Sequence, residues 1–154
     1  MAPTTEPSVP NTKARVLVVD DYPDAAETAA MLLTLHGYEC RIAVTGQGAL
    51  DQAAAFDPDI VILDIGLPDI SGYDVARTLR ARAGGRSLYL AAVTGWGQPQ
   101  DRVKALAAGF DQHVLKPTDT AKILQILRLA AARAAERAAA GLTPPRSTTG
   151  PADR

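Results

Sequence analysis

At 154 residues and 47% hydrophobic content, the chain can bury one good core and little more, so a single domain with tails is the expectation. Its 16 basic residues stand against 17 acidic ones, for a net charge of -1, which offers no electrostatic footprint for nucleic acid or an anionic membrane. Nucleic acid is therefore excluded as an expected partner. A membrane is excluded as well, because no apolar run approaches the ~18 to 20 residues of a span and the N-terminus carries no secretory signal. Cys40 is the one cysteine, and its surroundings from Tyr38 to Ala43 suit a small buried side chain in a reducing cytoplasm.

The Pro- and Thr-rich ends, residues 1–12 and 141–154, bury too little to offset chain entropy and are expected to be disordered. Between them the periodicity alternates. A strand at Arg15 to Asp20 leads into a helix from Pro23 to His36, stopped by Gly37. A second strand, Glu39 to Val44, precedes a helix from Gly46 to Phe56 with Ala49, Leu50, Ala53 and Ala54 on its inward face. Asp57-Pro58 ends that helix before a third strand, Asp59 to Asp64. The next helix, Gly72 to Ala83, turns Val75, Ala76 and Leu79 inward, and Gly84-Gly85 breaks it before a strand at Ser87 to Val93. A helix at Gln100 to Ala108, a short strand at Gln112 to Leu115 and a last helix beginning near Ala121 complete the pattern, with Thr118 or Asp119 as the final cap. That helix supplies Ile123, Leu124, Ile126 and Leu127 to the core. It then continues in alanine through residues 130–140 as a helical extension of a domain at 13–129.

Strict alternation of strand and helix implies an α/β fold: a doubly wound parallel sheet with helices on both faces. The commonest five-stranded solution has the order 2-1-3-4-5, with its crevice between strands 1 and 3 at their carboxyl ends. Asp20, Asp21 and Asp64 meet there, and Thr94 and Lys116 end the two neighbouring strands. Two carboxylates about 5 Å apart repel by roughly 3 kcal/mol at an effective dielectric near 20, so three of them call for a cation. Oxygen ligands at a solvent-facing edge suit Mg²⁺, which takes one or two carboxylates and keeps room for phosphate. A carboxylate, a divalent cation, a hydroxyl and an ammonium form a set suited to phosphoryl transfer.

The same residues resemble the receiver domain of two-component response regulators, over about Ala14 to Leu129. The resemblance lies in Val18-Val19-Asp20-Asp21, in Ile62-Leu63-Asp64-Ile65-Gly66-Leu67-Pro68-Asp69-Ile70-Ser71-Gly72, in Ala92-Val93-Thr94-Gly95, in Ala108-Gly109-Phe110-Asp111 and in Leu115-Lys116-Pro117. It implies a flavodoxin-like (βα)5 fold of bacterial signalling, with Asp64 as the phosphoacceptor from a histidine kinase or a phosphotransfer protein. It further implies Mg²⁺ held by Asp21, Asp64 and the backbone carbonyl of Gly66, with Asp20 acting through water. Thr94 and Lys116 would grip the phosphoryl oxygens, and the bond before Pro117 would be cis.

Simpler roles compete with these. Asp20-Asp21 would serve as a helix cap, although a cap needs one acid and leaves Asp64 unexplained. Thr94 alone is an ordinary strand end, and Lys116 alone an ordinary loop lysine. At the family's switch position, commonly aromatic, stands His113; its imidazole would make switching with Thr94 depend on pH, against the alternative of a packed neutral spacer. Gly66 and Trp96 would govern the approach of water and hence dephosphorylation.

Because little but alanine and a Pro/Thr-rich tail follows Leu129, the expectation is a single-domain cytoplasmic regulator without enzymatic turnover. It would signal by phosphorelay or by binding a downstream protein on the face of helix 4, strand 5 and helix 5, and the helical extension would dock a partner or a second copy as a weak homodimer. Two other classes remain open. An aspartyl-phosphate phosphatase of the haloacid dehalogenase kind needs an acid two residues after its nucleophile, where Gly66 stands. A phosphorylation-independent scaffold would not need the retained chemical residues.

Overall fold

Five strands and five helices alternate: β1 (Arg15–Val19), α1 (Pro23–Leu35), β2 (Glu39–Ala43), α2 (Gly46–Phe56), β3 (Ile60–Asp64), α3 (Gly72–Ala83), β4 (Tyr89–Thr94), α4 (Pro99–Ala108), β5 (Gln112–Leu115) and α5 (Thr120–Ala139). The structure is a computed structural model that describes residues 14–141 apart from Gly85 and Trp96. The tails at 1–12 and 142–154, and the role expected of Trp96, lie outside the described residues. All pairings are parallel and the strand order is β2-β1-β3-β4-β5, so the switch point lies between β1 and β3.

The period of two along each strand divides the core. Leu17, Val19, Val61, Leu63, Leu90 and Ala92 pack on one face, beneath α2, α3 and α4. Val16, Val18, Ile60, Ile62, Ala91 and Val93 pack on the other, beneath α1 and α5. β3 and β4 are buried along their whole length, as central strands covered on both faces must be. β4 starts at Tyr89 rather than Ser87, where the Tyr89 amide first donates to Asp59 O at 3.0 Å. On α2 the inward set is Ala49, Leu50, Ala53 and Phe56, while Ala54 is exposed: it lies one residue, some 100° of helical rotation, past Ala53.

α2 has no basic residue in its own last turn, and arginines from elsewhere serve its C-terminus. Arg15 donates to Phe56 O at 2.8 Å, and Arg15 and Arg41 lie over the Phe56 ring at 5.4 and 4.8 Å. On α1, His36 is exposed and its Nδ1 lies 3.0 Å from Leu32 O, a C-terminal cap. Cys40 is half-buried rather than buried, because β2 is an edge strand; burial still pushes its thiol up to about 11, which keeps it unreactive. α5 is anchored through Asp111, whose carboxylate accepts from Leu90 N at 2.8 Å, from Arg80 at 2.9 Å and from Arg133 at 2.9 Å.

Gly72 lets the chain double back beneath the end of β3. A Cβ there would lie 2.6 Å from Ile65 Cα and 2.9 Å from Asp64 O, both backbone atoms that cannot swing away. Gly72→Ala is therefore expected to destabilise the protein by about 1–3 kcal/mol, measured by urea denaturation. A neutral result would mean that the loop after Asp64 is free to shift.

Candidate active site

The strands deliver their acids to one point because parallel strands share a carboxyl edge. β3 carries Asp64 at its last residue, in register with Val93 of β4, so Thr94 stands one residue further along the neighbouring strand. β1 ends one residue short of Asp20, whose amide still donates to Ala43 O at 3.1 Å, leaving both Asp20 and Asp21 at the strand's exit. Asp20, Asp21 and Asp64 each bring a carboxylate oxygen within 4.8 Å of the others. Asp64 is buried at 5% exposure, Asp20 half-buried and Asp21 exposed, so the cluster grades from core to solvent.

Lys116 reaches across from the end of β5, and its Nζ donates to Asp64 Oδ2 at 2.9 Å. The other oxygen of Asp64 accepts the Gly66 amide at 3.0 Å. The Lys116–Pro117 peptide bond is cis. Thr94 is buried at 4% exposure, and its carbonyl accepts the Lys116 amide at 2.9 Å. Burial works against the charge on Lys116, but the bond to Asp64 and the charges of Asp64, Asp20 and Asp21 outweigh it and raise its pKa above the ordinary lysine value. The Asp20 carboxyl is raised above its usual range, by burial first and then by the Asp64 charge, although its bond from Tyr22 N at 2.9 Å pulls the other way. The cap of α1 is Tyr22, with no side-chain bond, and Pro23 opens the helix. Capping thus accounts for neither Asp21 nor Asp64.

Three hard carboxylate oxygens, one of them on a group whose charge the fold disfavours, form a donor set that suits Mg²⁺. Gly66 sits beside the set with open space above it, since a Cβ there would meet only Asp64 Oδ1, at 3.9 Å. A groove of about 960 Å³ opens from these acids and runs along α1 beside the first turn of α5, lined by Tyr22, Met31 and Leu35 among others. Those three side chains are exposed despite their size.

His113 is in register with Ala92 on the face that packs against α4. It is half-buried, and its Nε2 is buried without a hydrogen-bond partner. Burial lowers its pKa below the ordinary 6.5, Arg102 lowers it further, and Asp101 partly compensates. The unfolded chain then takes up the proton first, so stability contributed by neutral His113 is present above pH 6.5 and falls as the pH drops below it. NMR titration of the His113 ring is expected to give a midpoint below 6.5; a midpoint above it would mean that the imidazole is not held in the neutral form.

One contact of the site's loop was not legible in the sequence. Asp69 lies in the motif after Asp64, yet its carboxylate accepts the Gly46 amide at 2.7 Å and the Gln47 amide at 2.9 Å, at the N-terminus of α2. A spacing of 23 residues carries no local signal for such a bond.

Residues 16–128 match the model of the response regulator receiver domain family. Among curated relatives, the transcriptional regulatory protein KdpE of Mycobacterium tuberculosis is 44% identical over 118 residues, which are 77% of this chain and 51% of that protein. The DNA-binding response regulator MtrA of Mycolicibacterium smegmatis is 38% identical over 105 residues, 68% of this chain and 45% of that protein. The chain thus spans about half the length of the curated relatives it matches. Among solved structures, a CheY-like receiver domain protein of Methanospirillum hungatei is 26% identical with a TM-score of 0.74, covering 81% of this chain and 99% of that one. A CheY-like receiver domain of Methylobacillus flagellatus is 31% identical with a TM-score of 0.67, covering 77% and 99%.

These relatives correct the expectation that nucleic acid is not a partner. Proteins similar over most of this chain are named as transcriptional or DNA-binding regulators. The charge argument failed because relatives that share this fold over about half their length are named as DNA-binding or transcriptional regulators, whatever the charge balance of the matched residues. Within the described residues, no helix is long and apolar enough to cross a membrane.

Proposed function

This chain belongs to the response regulator receiver domain family, and on that premise we propose that Asp64 accepts a phosphoryl group from a partner histidine kinase and that the acyl phosphate controls the protein's output. A carboxylate oxygen of Asp64 attacks the phosphorus of the donor's phosphohistidine. The P–N bond breaks, its electron pair returns to the imidazole, and the phosphoryl group stays on Asp64 as a mixed anhydride. The observation that carries this reading is the Lys116–Asp64 contact at 2.9 Å beside two further carboxylates. A buried acid paired with an ammonium and set beside two further carboxylates is what an aspartyl phosphoacceptor requires.

Asp21, Asp64 and the Gly66 carbonyl are the residues to hold Mg²⁺ directly, with Asp20 through water. When bound, the ion neutralises charge on the phosphoryl oxygens. The Thr94 hydroxyl donates to one phosphoryl oxygen and Lys116 keeps its ammonium against another. The exposed apolar side chains of Tyr22, Met31 and Leu35 along the groove suit the docking of the phosphoryl donor. On the side of α4 and β5, Val103, Leu106 and Leu115 are exposed for a phosphorylation-dependent contact. Control of transcription is the output that the relatives' names favour, and phosphorelay uses the same chemistry. Turnover ends at loss of the phosphoryl group, which makes this a signalling phosphoprotein rather than an enzyme acting on outside substrates.

Incubation with acetyl phosphate tests the reading. A phosphoryl adduct by intact mass is expected with Mg²⁺ and not with a chelator. No adduct, together with no binding of beryllium fluoride in the presence of Mg²⁺, would overturn it.

A further inference from the structure

From the contacts of Asp69 we infer that this residue is a positioning residue for phosphoryl transfer, tying the loop that carries Gly66 to the N-terminus of α2. The inference rests on the role proposed for Asp64 and Gly66. The loop from Ile65 to Gly72 is held near its ends by Leu67 N and Gly72 N, which both donate to Ile65 O at 3.0 Å, and by Gly66 N, which donates to Asp64 Oδ1 at 3.0 Å. Leu67 and Ile70 are partly buried against the core beneath α2, α3 and α4, while Gly66, Pro68 and Asp69 are exposed. To this packing the Asp69 carboxylate adds a directional tie, one oxygen on the Gly46 amide at 2.7 Å and the other on the Gln47 amide at 2.9 Å.

Helix N-termini leave their first amides without intrahelical partners and carry a partial positive charge, so a carboxylate straddling two such amides is held in direction as well as distance. Those amides depress the Asp69 carboxyl, Gln47 first and then Gly46, consistent with a charged cap throughout the neutral range. The approach is close enough to exclude side-chain bulk on α2. A Cβ on Gly46 would lie 2.8 Å from Ile70 Cβ and 3.1 Å from Asp69 Oδ1. α2 has its own cap besides, since Thr45 Oγ1 accepts the Gly48 amide at 2.9 Å. Asp69 is therefore not needed merely to start the helix. What it adds is a fixed distance between α2 and the Gly66 carbonyl three residues before it.

The two roles separate by experiment. Asp69→Ala removes the tie, Gly46→Ala wedges the loop away with Asp69 intact, and Thr45→Ala weakens α2 without touching the loop. Isothermal titration with Mg²⁺ is expected to show binding weakened roughly tenfold in Asp69→Ala and Gly46→Ala, the low end for groups that orient metal ligands. Thr45→Ala is expected to bind as wild type, and Asp69→Asn, which keeps one acceptor oxygen, should fall between. The initial rate of phosphoryl uptake from acetyl phosphate should follow the same order. If Asp69→Ala binds Mg²⁺ no more weakly than Thr45→Ala while wild type is phosphorylated normally, this inference fails alone. If wild type binds no Mg²⁺ and takes up no phosphoryl group, the proposed function fails and this inference with it.

Discussion

Replacing Asp64 with asparagine is expected to reduce phosphoryl uptake from acetyl phosphate by several orders of magnitude, to background by intact mass, while the protein stays folded. Asparagine keeps the shape of the side chain and an oxygen able to accept from Lys116, so the 2.9 Å contact and the packing of a group that is 5% exposed both survive. What it loses is the anionic oxygen that must form the new bond. Lys116→Ala is the complementary case. There the nucleophile remains but the charge stabilising the transferring oxygens is gone, and a loss of about 10²–10³ in rate is expected, as for deletion of one oxyanion donor. Equal labelling of wild type and Asp64→Asn would place the acceptor elsewhere; an unchanged rate in Lys116→Ala would make that lysine structural.

The strands and their order were legible because burial on both faces writes uninterrupted apolar runs, as in Val16 to Val19 and Ile60 to Leu63, and because parallel crossovers leave few topologies. The meeting of Asp20, Asp21 and Asp64 followed from topology alone, since the first two follow β1 and the third ends β3, and these adjacent parallel strands finish at the same edge. Contacts made across the fold were not legible. The tie from Asp69 to α2, the arginines serving the end of α2 and the anchoring of Arg80 and Arg133 on Asp111 join residues far apart in sequence, and no period or spacing encodes them. Ala54 was misplaced for a smaller reason: alanine is compatible with either side of a helix, so only the position of Phe56 fixes the buried face. The exclusion of nucleic acid failed differently, because net charge describes the residues present and not the architecture in which such a fold serves.

The acids that enable the chemistry also oppose folding, which gives the second large effect. Without a cation, a pair of the cluster's charges about 5 Å apart repels by roughly 3 kcal/mol at an effective dielectric near 20, offset in part by Lys116 and by the Tyr22 and Gly66 amides. The Asp20 carboxyl is raised above its usual range by burial first, with the charges of Asp64 and Asp21 adding to it. Mg²⁺ binds only the folded arrangement, so at a hundredfold excess over its dissociation constant it should stabilise the protein by about 2.7 kcal/mol, a rise of roughly 8 °C in Tm for a domain of this size. Asp20→Asn removes one charge from the conflict and one acid from the cation's surroundings. It is expected to raise the metal-free Tm by a few degrees, about 1 kcal/mol, and to lose most of the rise that Mg²⁺ gives wild type. Thermal denaturation of both proteins with Mg²⁺ and with a chelator measures the two shifts together. A metal-free Asp20→Asn less stable than wild type would show that the Tyr22 bond outweighs the repulsion; an undiminished response to Mg²⁺ would show that Asp20 takes no part in holding the ion. The combination of higher metal-free stability and weaker metal response is what a site selected for phosphoryl transfer, and not for folding, must produce.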